Sequence, residues 1–388
     1  MHYPLEGVRV LDFSRVVSAP FATRMLADLG ADVVKVEPPD GDSTRTQGKN
    51  IGGIAGMYQH HNAGKRNVCM DLRAEGAIDL VKSLVAHADI VVENYRPGVM
   101  RRLGIDYESL KEVKPDLIML SISGYGQTGP ESERAAYAPV VHAEVGMMHH
   151  QGTRNNAPYG DPPVSLGDTN AGLHGAVAVL AALQMRHQTG LGQYIDMAMM
   201  DASFFTDDRV HFALDDLDDS LPEFPVLDLP FGRIVFATNM QMVFRQLHRR
   251  ADMEDPATDE EDLDTKVRLR EDAIVARLSE CRDIHEFSEL MDALNIAWGE
   301  VREPRDVPSQ PTLVHREMIV QVDDRAGGTR PVQQSPYRFS NARSGVRGPA
   351  PQRGEHNFAA LKSWLGLSDS QLSRLQDAGV IVEPEQNT

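Results

Sequence analysis

An acidic side chain stands among small residues at the predicted start of a long helix. Residues 166–172 read LGDTNAG, and the apolar segment 173–188 that follows is typical of a helix. Asp168 could cap that helix, because Asp accepts hydrogen bonds from the unpaired N–H groups of a first turn. It could equally be a nucleophile, since those N–H groups and the positive helix end are available to an anion. The local pattern favours the cap, so the choice depends on the residue's surroundings.

A second candidate for chemistry is a set of basic residues in the first third of the chain. Several follow or lie near predicted strand ends, where parallel α/β sheets bind ligands. Arginine suits a phosphate-bearing ligand because it makes two parallel hydrogen bonds to a phosphate. Spacing alone leaves scattered surface cations as the alternative. The set is Arg15, Lys35, Arg73, Arg96, Arg101 and Arg102.

A glycine motif at residues 124–129 (GYGQTG) fits the G-x-G-x-x-G pattern of dinucleotide sites and follows a predicted strand. The next residues, 130–134, read PESER, which is not the apolar helix whose N-terminus should hold a pyrophosphate. We therefore interpret the motif as a flexible glycine loop near a pocket, with a nicotinamide site as the weaker alternative.

The elements that must position these residues alternate between strand and helix over the first 125 residues. This alternation indicates a parallel α/β sheet. A helix at 173–188, a strand at 194–197 and a helix at 199–205 follow. The earlier predicted strands are residues 8–13, 33–37, 67–71, 90–93 and 117–122, and the earlier predicted helices are residues 19–29 and 74–86.

Composition bounds the class of protein. A chain of 388 residues is long for one hydrophobic core, so two domains are expected. The net charge of -18 argues against nucleic-acid binding, and no apolar run approaches the ~20 residues that cross a bilayer. Cys69 and Cys281 have no metal-ligand spacing, and the N-terminus has no signal-peptide pattern, which favours a cytoplasmic protein with reduced thiols.

Charge is unevenly placed along the chain. Residues 1–110 hold 13 Lys and Arg against 14 Asp and Glu, whereas residues 207–264 hold 5 against 16. The sequence therefore assigns an anionic ligand to the first half and interprets 207–264 as a solvated acidic region.

A series of motifs occurs in order along residues 4–206. They are GVRVLDFSR (7–15), APFAT (19–23), LADLGADVVKVEP (26–38), VENYRPG (92–98), SISGYG (121–126), GD (167–168), AAL (181–183) and TGLGQ (189–193). The series resembles the family III CoA-transferases, which include formyl-CoA, carnitine and several dicarboxylate CoA-transferases, with alpha-methylacyl-CoA racemase as a relative. Beyond residue 230 the resemblance is loose.

The resemblance implies a Rossmann-like large domain with a parallel sheet, a smaller inserted domain and an interlocked homodimer. On this basis we expect the N-terminal part of the large domain at 1–206, an acidic linker at 207–230, the small domain at 231–326 and a C-terminal segment at 327–388 that completes the large domain. It further implies that acyl-CoA and a small carboxylic acid are the substrates, with no tightly bound cofactor, no metal, and neither nucleic acid nor membrane as a partner.

Residue roles also follow from the resemblance. Asp168 occupies the nucleophile position, where it would form an aspartyl-CoA thioester after attack on an acyl-CoA. A mobile loop at 124–129 could then act as a lid that excludes water. The residues that match CoA-holding or thioester-adjacent positions are Val16, Val17, Ser18, Leu72, Arg73, Asn94, Tyr95, Arg96, Arg102, Leu103 and Tyr137.

The alternative function is racemase-type proton transfer on an acyl-CoA, because the racemase also carries this Asp. The racemase needs a second proton-transfer group, and the family supplies a His where this chain has Tyr137. A Tyr with a pKa near 10 is a poor base at neutral pH. His142, five residues on, is interpreted as structural, so the sequence favours the transferase. His149 and His150 could hold the second carboxylate of a diacid, with a solvated loop as the alternative.

Overall fold

The computed structural model describes residues 1–155, 157–217 and 224–383. The chain forms two compact units. We call Met1–Val210 with His315–Thr388 the large unit and His211–Val314 the small unit.

The strands range from two to six residues. They are β1 (Arg9–Asp12), β2 (Asp32–Glu37), β3 (Asn50–Ile51), β4 (Ile54–Ala55), β5 (Arg66–Cys69), β6 (Ile90–Glu93), β7 (Ile118–Ser123), β8 (Gln193–Ala198), β9 (Val226–Leu229), β10 (Gly232–Phe236), β11 (Trp298–Glu300), β12 (Ile319–Asp323) and β13 (Thr329–Gln333).

The helices range from five to 24 residues. They are α1 (Ser18–Asp28), α2 (Gly56–Asn62), α3 (Ala77–Val85), α4 (Val99–Leu103), α5 (Tyr107–Val113), α6 (Ala138–Glu144), α7 (Met147–Asn155), α8 (Leu166–Thr189), α9 (Met199–Thr206), α10 (Val210–Leu214), α11 (Met240–Arg250), α12 (Leu263–Ser279), α13 (Ile284–Leu294), α14 (Pro311–His315), α15 (Asn357–Leu365) and α16 (Asp369–Asp377). None of the helices in the described residues is long and apolar enough to span a membrane.

A six-stranded parallel sheet organises the large unit, which confirms the predicted α/β class. The strand order is β5-β2-β1-β6-β7-β8. From β1 the chain first adds strands on one side and then, from β6, on the other. The gap between the carboxyl ends of β1 and β6 is therefore a topological switch point, where open α/β sheets form ligand crevices.

Side chains alternate across this sheet and build one apolar core on each face. Val10 of β1 packs with α1 and α8, whereas Leu11 packs with α3 and α15. Both side chains are fully buried. Burial on both faces explains why the strands read as continuous apolar runs in the sequence.

Helix α8 begins seven residues before the predicted start at residue 173. Glycines within the helix lower its intrinsic propensity and obscured its first two turns. They permit close packing: a Cβ at Gly172 would lie 2.6 Å from the Ser18 carbonyl oxygen, and one at Gly175 would lie 3.0 Å from Leu120 Cδ2.

The small unit combines a three-stranded antiparallel sheet, in the order β11-β10-β9, with α11, α12 and α13. Its core is apolar and includes Phe236, Ile274, Phe287 and Met291. Part of the predicted linker 207–230 belongs to the small unit. Residues 226–229 form β9, and Leu229 is buried in this core. Residues 218–223 of that linker lie outside the described residues.

The boundaries of the small unit also differ from the expected 231–326. The hairpin β12–β13 belongs to the large unit, because Val322 and Val332 pack against Ala63. Arg330 of the same hairpin donates to the Ile54 carbonyl at 2.7 Å.

Candidate functional site

A cavity of about 420 Å³ opens at the switch point of the sheet. The loop after β1 contributes Val16, the residue after β6 is Asn94, and the end of β7 contributes Ser123. Asp168 of α8 lines the same cavity. The loops that follow neighbouring parallel strands thus converge on one acidic side chain, as the arrangement of the sheet requires.

Asp168 is the third residue of α8 and does not cap the helix. The capping position is held by Ser165, which makes no side-chain capping hydrogen bond. The prediction of an Asp168 cap is therefore wrong: the helix starts earlier than its apolar pattern, so the carboxylate lies inside the first turn. Burial raises the pKa of Asp168 to about 6, although polar contacts with Ser18 favour the ionised form.

The loop after β1 holds a strained backbone beside this carboxylate. Val16 has a φ of +68°, in the left-handed region that β-branched residues rarely adopt. Its N–H donates to the two carboxylate oxygens of Asp42 at 3.2 and 3.4 Å. Asn94 braces the preceding residue, since its amide accepts from Arg15 N and donates to Arg15 O, both at 2.7 Å. The surrounding contacts thus hold the strain in place.

Asp42 is itself fixed by buried partners. Lys35 Nζ lies 3.3 Å from Asp42 Oδ2, and both side chains are almost wholly buried. Thr44 donates to Asp42 through its backbone N–H and its hydroxyl. Burial opposes ionisation, but Lys35 and these hydrogen bonds hold the pKa of Asp42 below its ordinary value. Lys35 therefore supports the loop, and the prediction that it belongs to the anion site is wrong because its side chain is fully buried.

Cations from three separate segments face the cavity, namely Arg15, Arg96 and Arg134. A second cavity of about 450 Å³ also has Arg96 and Pro97 in its wall and adds Arg101 and Arg102. Four of the six basic residues singled out in the sequence are thus brought to two cavities with a common wall. An elongated anion could lie along them with one end at Asp168.

Seven of the predicted site residues line the Asp168 cavity, and Arg102 lines the second one. The seven are Val16, Ser18, Asn94, Tyr95, Arg96, Tyr137 and Asp168. Among them, Tyr95 has its pKa raised to about 12 by burial.

Four predicted residues lie outside both cavities. Val17 is buried in the turn that starts α1, and Leu72 and Leu103 pack against the apolar core. Arg73 is exposed and its Nε lies 3.3 Å from Asp71 Oδ1. None of these four lines either cavity, and their proposed contacts with CoA stay predictions.

The two histidines at 149–150 also stay apart from the cavity wall. They lie on α7, and the His149 ring packs at 5.4 Å, between centroids, from that of Tyr159.

Sequence reasoning missed the role of Arg134. Its guanidinium lies 2.8 Å from Glu131 and 2.6 Å from Glu144, and stacks at 4.9 Å over the Tyr125 ring. These contacts hold an arginine between the glycine loop and Tyr137. Arg134 lies three residues before Tyr137 in the sequence, and this proximity to a predicted pocket residue could have identified it.

The glycine loop is tied to the sheet. The Gln127 N–H donates to both carboxylate oxygens of Asp196 at 3.1 and 3.0 Å. After the loop the chain forms turns, and the next helix starts only at Ala138. The arrangement lacks the helix N-terminus that a dinucleotide loop needs at this point, in agreement with the sequence analysis.

The fold thus places a partly buried carboxylate and several arginines at the ligand crevice of a parallel α/β sheet. A model for "CoA-transferase family III" matches residues 5–357. The chain belongs to this family.

Named relatives cover nearly the whole chain. It is 29% identical to the human succinyl-CoA:glutarate CoA-transferase, over 98% of this chain and 91% of the relative. It is 30% identical to a formyl-CoA:oxalate CoA-transferase of Streptomyces avermitilis, over 97% and 99%. A CAIB/BAIF family protein from Brucella suis has a similar structure, with a TM-score of 0.79, 30% identity and coverage of 94% and 99%. The predicted family and transferase activity are thereby confirmed.

Proposed function

We propose that this enzyme moves CoA from an acyl-CoA to a free carboxylic acid through a covalent aspartyl-CoA intermediate at Asp168. The observation that carries the proposal is the placement of Asp168 in a cation-lined cavity at the switch point of the sheet. Its pKa of about 6 leaves the carboxylate mostly ionised, and therefore nucleophilic, at neutral pH.

The reaction balances without a further reagent. A carboxylate oxygen of Asp168 attacks the thioester carbonyl, the C–S bond breaks, and CoA leaves as a thiolate. The thiolate attacks the Asp168 carbonyl of the mixed anhydride, which releases the donor acid and leaves the aspartyl thioester. The acceptor carboxylate then attacks that thioester, and the same two steps run in reverse. The thioester bond energy is conserved, and the covalent intermediate divides one difficult exchange into easier steps.

Ser18 and the strained loop supply the polar contacts that this sequence of steps requires. The hydroxyl and the backbone of Ser18 lie close enough to Asp168 to favour its ionised form against the effect of burial on its pKa. Ser18 is the first residue of α1, so its N–H belongs to the unpaired first turn of a helix. We infer that these donors stabilise the negative charge that moves between the carboxylate and the carbonyl oxygen during transfer.

CoA is proposed to lie along the two cavities. Its thioester would reach Asp168, and its phosphates would meet Arg96 and Arg102. These guanidinium groups suit phosphate recognition because they can make paired charge-assisted hydrogen bonds.

For the acceptor we propose a small dicarboxylate. The two relatives named above act on glutarate and oxalate. Arg15, whose guanidinium donates to the Gly41 carbonyl and forms no ion pair with a carboxylate of the described residues, offers positive charge in the Asp168 cavity for the carboxylate that does not react. The hypothesis that His149 or His150 holds this group has less support, because neither lines the cavity.

The assembly is proposed to be a cytoplasmic, interlocked homodimer. Large apolar side chains of α8 and α9, among them Val177, Phe204 and Phe205, are exposed in the single chain. A second copy that covered them would remove this apolar area from water. Cys69 and Cys281 are both free and buried, in keeping with a reducing compartment. Light scattering on the full chain tests the dimer, and a monomer at micromolar concentration would contradict it.

The test of the proposed function is mass spectrometry of peptides after reaction with acyl-CoA. The full chain is mixed with succinyl-CoA or formyl-CoA and then treated with hydroxylamine, which converts an acylated or thioesterified carboxyl group to a hydroxamate. We expect the hydroxamate on Asp168. The Asp168→Asn variant should form no hydroxamate and should have no transferase activity with glutarate or oxalate. The control Asp79→Asn, on the exposed face of α3, should retain both.

Two results would contradict the proposal. One is transfer activity with no hydroxamate on Asp168. The other is exchange of the α-proton of a branched acyl-CoA in deuterated water without CoA transfer, which would move the assignment to a racemase.

A further inference from the structure

His142 lies next to the nucleophile but outside the cavity. It belongs to α6 and its side chain is fully buried. Both ring nitrogens have partners: Nδ1 lies 2.7 Å from Asp161 Oδ1, and Nε2 lies 2.9 Å from the backbone nitrogen of Gly167. A ring held at both nitrogens has little freedom to rotate.

The direction of these two hydrogen bonds follows from chemistry. A backbone N–H can only donate, so Nε2 of His142 accepts from Gly167 and carries no hydrogen. The ring hydrogen is therefore on Nδ1 and is donated to the carboxylate of Asp161. Asp161 thus selects the tautomer that can accept from Gly167.

Gly167 directly precedes Asp168 in the first turn of α8. The N–H groups of a first turn have no partner within the helix, and they require one when they are buried. Gly167 is buried, and Ser165 at the capping position makes no side-chain bond. The imidazole therefore takes the place of a cap. Packing is tight here, because a Cβ at Gly167 would lie 3.3 Å from Val141 Cγ1.

We propose that His142, oriented by Asp161, is a positioning residue that fixes the first turn of α8 and thereby aims the Asp168 carboxylate at the thioester. The inference rests on the proposed function, in which Asp168 is the nucleophile. His142 transfers no proton in this role, since the lone pair on Nε2 accepts the hydrogen bond from Gly167.

This role has a measurable consequence for the acylation step. Without the acceptor, the buried Gly167 N–H loses its partner and the turn shifts to find another. A displacement of about 1 Å at a reacting group can reduce a rate about 100-fold. We expect a loss of about 10- to 100-fold in acylation of Asp168, with little change in the KM for acyl-CoA, because the cations that would hold CoA are on other segments.

The experiment compares two substitutions at one position. In His142→Gln the amide oxygen lies as many bonds from the backbone as Nε2 and can accept from Gly167. His142→Leu has a similar volume but no acceptor. Each full-length variant is mixed with the acyl-CoA that best labels the wild-type enzyme, and hydroxamate formation at Asp168 is followed in a single turnover.

We expect His142→Gln to stay within about fivefold of the wild-type rate and His142→Leu to lose about 10- to 100-fold. Equal rates for Leu and wild type would overturn the inference, and so would a Gln variant as slow as Leu. A wild-type enzyme that forms no hydroxamate at all would instead contradict the proposed function, so the two failures are distinguishable.

A second pair of variants keeps the test valid if His142→Leu does not fold. Asp161 is about 41% exposed, so its substitution leaves the core intact. Asp161→Asn retains an oxygen that accepts from Nδ1, whereas Asp161→Ala does not. We expect a loss of about threefold to tenfold for Ala and a near wild-type rate for Asn. Equal rates for Ala and wild type would overturn the orienting role of Asp161.

Discussion

The large and small units use charge in opposite ways. Beside the loop between β1 and α1, Lys65 Nζ lies 3.0 Å from Asp12 Oδ2 and both side chains are fully buried. In the small unit, the pair Arg270 and Asp255 is more than 30% exposed at both ends, and Arg282 and Glu286 are more exposed still. Buried charges are costly unless they are paired and hydrogen-bonded, whereas exposed pairs contribute little.

The buried charges of the large unit fix the orientation of the side chains around them. Asp12 also accepts from Thr23 at 2.7 Å, and Lys65 donates to Thr23 and Asn62 as well. Apolar side chains of the same volume would make the fold about as stable, but they would not form directional hydrogen bonds. We infer that the buried network holds the loop between β1 and α1, whereas the small unit relies on apolar packing.

The largest expected effect tests the buried pair. Asp12→Ala leaves Lys65 without its counter-ion, and we expect the free energy of unfolding of the large unit to fall by about 3–5 kcal/mol. The two tryptophans separate the units, since Trp364 lies in α15 and Trp298 in β11. Urea unfolding followed by fluorescence in a Trp298→Phe background therefore reports the large unit.

The double variant Asp12→Leu with Lys65→Met serves as the control. It removes both charges, so it should recover most of the lost stability. If Asp12→Ala alone cost less than about 1 kcal/mol, the proposed contrast between the units would fail.

The next prediction compares the pKa values of two carboxyl groups, one in each unit. Burial raises the pKa of Asp168 to about 6, whereas hydrogen bonds from Arg270 lower the pKa of the exposed Asp255. Only ionised Asp168 is a nucleophile, so the single-turnover acylation rate should fall about tenfold per pH unit below pH 6. A rate that is level from pH 7 to pH 4.5 would contradict the environment assigned to Asp168.

The contribution of Asp168 to the free energy of unfolding should decrease as the pH rises, whereas the acylation rate increases. Folded Asp168 binds its proton more tightly than the unfolded chain, whose model value is 3.8. Its contribution to stability is thus complete below pH 3.8 and is lost as pH rises through about 6. Asp168→Asn should remove this slope from the pH dependence of unfolding.

A smaller effect is expected at the strained turn. Val16→Gly relieves a left-handed backbone that costs a β-branched residue about 1–2 kcal/mol, partly offset by the greater freedom of glycine in the unfolded chain. We expect stability to be unchanged or higher by up to about 1 kcal/mol, with an acylation rate several-fold lower because the loop is less fixed. A less stable variant would contradict the assignment of strain.

The smallest effect tests the exposed pair. Arg270→Ala removes the ion pair with Asp255 and the contact with the Phe244 ring at 5.0 Å. We expect a loss below about 1 kcal/mol, measured through Trp298 in a Trp364→Phe background. A loss above about 2 kcal/mol would show that surface charge does stabilise this unit.

The sheet was predictable because its strands are buried on both faces. Strands β1, β2, β6 and β7 coincide with the predicted segments to within one or two residues. Such strands give continuous apolar runs whose meaning does not depend on distant contacts. Their order then places the ligand crevice without further information.

The parts of the site that were missed depend on contacts between distant residues. Asp42 supports Val16, 26 positions away, and Asp161 orients His142, 19 positions away. Neither pair has a periodic signal in the sequence. Tertiary packing likewise decides that His142 accepts from Gly167.

The division of the large unit between two segments affects how the chain is made. Edge strand β5 is completed by the C-terminal segment, since Cys69 N donates to Asn357 at 2.8 Å and Met70 pairs with Ile381. A ribosome must therefore finish the whole of 211–314 before these partners emerge. Until then the nascent chain presents an uncovered strand and the apolar face that α15 later covers, and we expect chaperones to bind at this stage of synthesis.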